Sequence, residues 1–171
     1  ADVIAADSEW PEAHINLIDL HYRAAPEYSE QRGFVKRIIG APAASLLEFN
    51  VGALTELLEF LKPGETGKIV RSSALDATSS GTSRLVELVR RVGGSAYLSG
   101  DGSDGYLDPM EFEQNGVELS FQGFREAPRP QLGTDEFIPG LSILDALMMV
   151  GADGVNALLN QESTGGGTSS A

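Results

Sequence analysis

Ser95–Tyr106, SAYLSGDGSDGY, runs from a short strand-forming stretch into a literal GxGxxG at Gly100, Gly102 and Gly105. How this loop is read decides how the segments on either side are read. A dinucleotide fingerprint needs its glycines at the first strand-to-helix turn, where backbone N–H groups and a helix N-terminus face the pyrophosphate. Here the loop follows a second strand, and Asp101 and Asp104 put carboxylates where phosphates would sit. A calcium loop starting at Asp101 would need a bidentate Glu at its twelfth position, which is Phe112. Two readings stay open: a tight turn in which Gly and Asp supply positive φ and side-chain-to-backbone bonds, and one wall of a small-molecule pocket.

Working outward, strands and helices alternate. KIVRS from Lys68 reads as a buried strand, Thr82 to Val92 as a helix, SAYLS as the second strand, Pro109 to Asn115 as a short helix capped by Asp108, and VELSFQ from Val117 as a third strand. That order predicts an α/β fold with a small, mainly parallel βαβαβ sheet in a three-layer arrangement. Ligands of such sheets lie at the strands' carboxyl ends. Those ends carry Ser72 and Ser73, then Ser99, Gly100 and the glycine loop, then Gln122 to Arg125.

Before Gly67 the rhythm is helical. Ser8 reads as a cap for Trp10 to Tyr22, a second helix follows Pro26 and stops near Gly40, and the period of Leu46, Leu47, Asn50, Leu54, Leu57, Leu58 and Leu61 makes a third. A last helical stretch, Ile143 to Leu159, is interrupted by Gly151. The expectation is a single domain over residues 1–161, its helical amino-terminal half and C-terminal helices packed on the sheet. ESTGGGTSSA, residues 162–171, reads as a flexible Gly/Ser/Thr tail.

Composition removes several classes of function. Twelve Lys plus Arg against 25 Asp plus Glu give a formal net charge of −13, which repels polyphosphate backbones and anionic membrane surfaces. The absence of cysteine excludes disulfides, a thiol nucleophile and a thiolate metal site, and fits a cytoplasmic protein. No apolar run reaches the roughly 18 to 20 residues that cross a bilayer. An opening Ala1 in place of Met suggests that an earlier segment is missing.

The candidate site collects at the carboxyl edge. Asp101 and Asp104 suit a substrate amine or hydroxyl; Ser72, Ser73, Ser99, Gly100, Tyr106, Gln122 and Gln131 supply hydrogen bonds; Arg125 and Arg129 suit an anion. His14 and His21 lie seven apart on the first helix, and either is a surface or core histidine or a general base. Two histidines without one-turn spacing do not make a zinc site, and no metal or organic cofactor is indicated. The serines lack a nucleophile elbow and read as hydrogen bonders. Ser142 to Asp145 reads as a helix-opening cap, Trp10 and Tyr22 as core or interface.

The ordered run RSSALDATSSG, YLSG, YLD, a strand ending in FQ, a later Gln131, and FIPGLSILDALMMVG from Phe137 resembles the WbqC-like family. Trp10, His14, Ile18, Tyr22 and AAPEY from Ala24 match that family's W...H...I...Y..APYF helix, and Leu47 and Asn50 its L..LN helix. The resemblance gives His14 the better functional claim. Its departures are the family's opening QPxYxPW segment, not found here, Arg129 and Pro130 where a tyrosine is common, and LMMV at Leu147 to Val150 in place of LLFN.

The family's genes lie beside those for O-antigen sugars and specialised metabolites. The resemblance therefore implies an enzyme, or a subunit of a two-chain enzyme, acting on a small anionic substrate that bears an amine or hydroxyl. A second protein chain would supply the opening segment. A narrower implication is the smaller chain of the aziridine-forming enzymes of azinomycin-type antibiotic pathways, in which an amine displaces sulfate within one molecule. A rival is a non-catalytic subunit that stabilises a catalytic partner.

Overall fold

The computed structural model describes residues 3, 8–61, 67–103 and 105–160. They fall into two compact units, one formed by residues up to Gly67 together with those from Glu126 onward, the other by Lys68–Arg125.

The first unit is built from α1 (Trp10–Tyr22), α2 (Tyr28–Ile39), α3 (Leu46–Leu61) and α6 (Ile143–Leu159). Glu9, not Ser8, is the N-cap of α1, and Pro11 sits in the first turn, where a missing N–H is harmless. Gly40 closes α2, its N–H bonding back to the last turn. The apolar stripes of these helices meet in one core of Phe34, Val35, Ile39, Leu61, Leu147, Met148 and Val155, with the Phe34 and Phe60 rings stacked at 3.8 Å. Asp19 of α1 accepts from the Tyr28 hydroxyl and from Arg32 Nε, both at 2.7 Å, which ties α1 to α2. Residues 126–142 contribute no helix or strand to this unit, yet they are heavily cross-tied, as described below.

Gly151 kinks α6. Its φ of 68° and ψ of −178° fall in a region open to glycine alone, so the helical ladder breaks there. The break has a structural use: the Met148 carbonyl accepts the Glu27 N–H at 3.0 Å, seating the start of α2 against α6. A Cβ at Gly151 would stand 3.1 Å from Glu27 Oε2.

The second unit contains α4 (Gly81–Arg91), β1 (Ala96–Ser99), α5 (Pro109–Gln114) and β2 (Glu118–Phe121), with 3-10 turns at Ser72–Ala74 and Asp101–Ser103. β1 and β2 pair in parallel, Ala96 opposite Glu118 and Ser99 opposite Phe121, with α5 in the connection between them. Val86, Val89, Phe112 and Val117 form this unit's core, and Tyr97 stacks on Phe112 at 5.5 Å. Asp108 caps α5 through a 3.0 Å bond from Met110 N–H, as the sequence indicates.

The α/β class and the parallel pairing agree with the sequence, but among the described residues the sheet has two strands rather than three. Residues 68–71 of KIVRS are exposed and outside the ladder. Ile69 and Val70 have strand-forming side chains, yet β propensity is realised only against a neighbouring strand and a packed face, and neither is present for them here. Among the described residues, no helix is long and apolar enough to cross a membrane.

Candidate functional site

Two constellations bear chemistry, one in each unit. In the first unit the loop 126–142 wraps an ion-pair network against the start of α6. Arg129 is almost fully buried, its side chain 3% exposed, and donates from one terminal nitrogen to Asp145 Oδ2 at 2.9 Å and from the other to Glu126. Its guanidinium lies 5.3 Å from the centre of the Phe137 ring. Asp145, 4% exposed, also accepts from the Tyr22 hydroxyl at 3.3 Å and from Gln131 Nε2 at 3.4 Å. Glu126 accepts the Gly140 N–H at 2.7 Å. Gln131 clamps the loop's far end, accepting from Ile138 N–H at 2.7 Å and donating to its carbonyl at 2.9 Å.

Asp145, Tyr22 and Gln131 of this network line a cavity of about 380 Å³. Its walls are the side chains of Leu17, Ile18, Leu132, Ile138 and Leu141, with His21, Tyr22, Gln131, Thr134 and Asp145 as its polar lining. The electrostatics follow from the geometry. Donation from the Gly140 amide and then from Arg129 holds the Glu126 carboxyl below its ordinary range, despite its burial. Burial, reinforced by the charge of Asp145, pushes the Tyr22 phenol up, so it stays a protonated donor to Asp145. An apolar cleft with a few convergent polar groups is the usual form of a small-molecule site.

In the second unit the carboxyl ends of β1 and β2 are joined by one carboxylate. Asp101 accepts the Gly123 N–H at 2.8 Å and Arg125 at 2.9 Å, and both contacts, the backbone one foremost, lower its pKa. A carboxylate so held is a poor proton acceptor and a good anchor. Arg125, 81% exposed, is fixed by it with its guanidinium in solvent. The ladder continues one step further through Gln122 N–H to the Ser99 carbonyl at 2.8 Å, and Ser99 is buried. Ser72, Ser73, Gly100, Tyr106 and Gln122 are exposed. Asp104 lies outside the described residues.

Of the residues singled out in the sequence, Asp101 and Arg125 are thus brought into contact in the second unit, and Arg129 and Gln131 share a network in the first. His14 bonds through Nδ1 to the Trp10 carbonyl of its own helix at 2.8 Å and stands edge-on to the Trp10 ring; His21 is the histidine that lines the cavity. One expectation is corrected. Ser142 caps α6 through Leu144 N–H, but Asp145 turns its carboxylate to Arg129 and Tyr22 instead of the helix end. Tyr22 packs against the core as the sequence indicates, and it also lines the cavity and donates to Asp145. Glu126 was not legible at all. A signal for Asp145 existed: a carboxylate directly before Ala146, Leu147, Met148 and Met149 sits on a face too apolar to be solvated.

Comparison with known proteins agrees with the motifs. A model of the WbqC-like protein family matches residues 1–157. The chain belongs to the WbqC-like family. Membership suggests a role in the biosynthesis of surface sugars or metabolites. The uncharacterized protein Rv1507c of Mycobacterium tuberculosis is 25% identical over 150 residues, covering 85% of this chain and 63% of the relative. This WbqC-like chain thus spans less than two thirds of that relative's length. No solved structure matches it.

Proposed function

We propose that this chain is an enzyme, or one chain of a two-chain enzyme, in the biosynthesis of a surface sugar or specialised metabolite, and that its substrate is held in the cavity above Asp145. The observation that carries the reading is the buried Asp145, ion-paired to Arg129 behind it, in the lining of an apolar cleft. Burying an ion pair costs desolvation that well-packed apolar side chains would avoid, so a buried pair argues weakly for stability and more strongly for use. The apolar walls suit the carbon body of a small molecule, the carboxylate and phenol suit its amine or hydroxyl, and His21 on the wall is placed to take a proton.

At the carboxyl ends of β1 and β2 we assign Arg125, held by Asp101, to an anionic group, with the exposed Ser72, Ser73, Tyr106 and Gln122 as hydrogen-bonding side chains of the same unit. The narrowest form of the reading is aziridine closure. There a neutral amine nitrogen forms the new C–N bond as the C–O bond to sulfate breaks, sulfate leaves as the anion, and a base takes the amine proton. Its support is the sequence resemblance alone.

A non-catalytic stabilising subunit is the second reading. It is favoured by exposed leucines on α1 and α3, Leu17, Leu20, Leu46, Leu47 and Leu54, which a protein partner would cover. The test purifies the chain alone and with the product of its neighbouring gene, then assays conversion of the pathway's amino-bearing intermediates by mass spectrometry with wild type and Asp145→Asn. Turnover that falls at least tenfold in the variant supports the enzyme reading. Turnover unchanged in the variant, with the partner aggregating when this chain is left out, supports the stabilising one.

A further inference from the structure

We propose that the cavity selects a primary ammonium group carried on an apolar body. This rests on the reading of the cavity as a substrate site and names the chemistry of what enters it. The Tyr22 hydroxyl spends its proton on Asp145. Gln131 is committed at both ends of its amide to Ile138. The Thr134 hydroxyl donates to the Glu136 carbonyl at 2.9 Å and accepts its own bond from Glu136 N–H at 3.1 Å.

What remains on the floor is acceptor capacity. A carboxylate has about four lone-pair sites. Asp145 Oδ2 takes Arg129 and a long bond from Gln131, whereas Oδ1 takes only the 3.3 Å bond from Tyr22 among the described residues. The phenol oxygen of Tyr22 keeps its own lone pair. A ligand that presents a second acceptor would meet none of these needs; one that presents donors would meet two.

Charge then separates amines from alcohols. One guanidinium, Arg129, faces two carboxylates, Asp145 and Glu126, so the network carries one uncompensated negative charge in a poorly hydrated place. Among the cavity's lining side chains there is no lysine or arginine, so the apolar walls offer no permanent cation to offset the network. An ammonium neutralises that charge where a hydroxyl leaves it standing.

The test is an NMR titration of the ¹⁵N-labelled full chain at pH 7 with hexylamine, hexan-1-ol and hexanoate, three probes sharing one apolar body. Hexylamine is expected to shift the signals of Tyr22, Gln131 and Leu141 and to bind at least tenfold more tightly than hexanol, with hexanoate weakest. Asp145→Asn should abolish the preference of amine over alcohol, and Tyr22→Phe, which keeps the network's charge, should weaken both while preserving it. If Asp145→Asn does not fold, the Tyr22→Phe and wild-type panels decide. Hexanol binding as tightly as hexylamine, with shifts at the same residues, overturns the charge selectivity and leaves the cavity reading in place. No shift at these residues with any probe overturns both.

Discussion

Arg129 serves two carboxylates at once from a position closed to water, and its loss would strand both. Arg129→Ala should therefore cost about 3–5 kcal/mol in urea unfolding, with much of that recovered when Asp145 is replaced by Leu in the same chain. Equal destabilisation in the single and double variants would show that the network is not coupled as described. A second residue-scale prediction concerns acid. Hydrogen bonds from Arg32, then from Tyr28, lower the Asp19 carboxyl from its ordinary 3.8 to about 2. A carboxylate depressed in the folded state adds stability that is complete above its unfolded pKa and is lost as pH falls through the folded one. Thermal scans should thus show the contribution fading from near pH 4 toward pH 2, and Asp19→Asn should flatten that part of the profile; an unchanged profile would count against the brace. At this scale the sequence was half legible. Arg129 and Gln131 stood out as polar residues in a proline-containing loop, whereas Tyr22 and Asp145 fit local patterns for core and cap so well that only tertiary contact shows them bonded to each other.

Elements were the most legible level, because their signals are local. The boundaries of α2, α3, α5 and α6 follow from apolar period, caps and glycines that act within a few residues. KIVRS failed for the complementary reason: a strand is defined by its neighbour, and nothing in Lys68–Arg71 says whether one is there. The kink in α6 is the element-scale feature with the sharpest consequence. Gly151→Ala must place a Cβ at a backbone angle that L residues avoid and against the Glu27 carboxylate. It should cost about 1–3 kcal/mol, read as a fall in melting temperature. Gly33→Ala is the control: it has nothing within 4 Å of its added Cβ and sits in α2, so it should be neutral or stabilising. A harmless Gly151→Ala would mean that α6 does not bend there.

At the scale of the whole molecule the dominant quantity is the net charge of −13. Self-repulsion of that size opposes compaction and is screened by salt. Raising sodium chloride from about 0.05 to about 0.5 M, which shortens the screening length well below 10 Å, should raise the melting temperature, and a fall would show that the surface ion pairs outweigh the repulsion. The family was legible because its motifs are ordered along the chain, but the cavity was not, because it joins α1, the loop 126–142 and α6 from distant parts of the sequence. In the proposed reading Asp145 faces the substrate. The most direct measurement restores a strain lacking the gene with wild type, Asp145→Asn or Asp101→Asn, each confirmed at equal protein level, and quantifies the surface sugar or metabolite by mass spectrometry. Product lost with Asp145→Asn and largely kept with Asp101→Asn is the result expected; full product with Asp145→Asn would contradict the account.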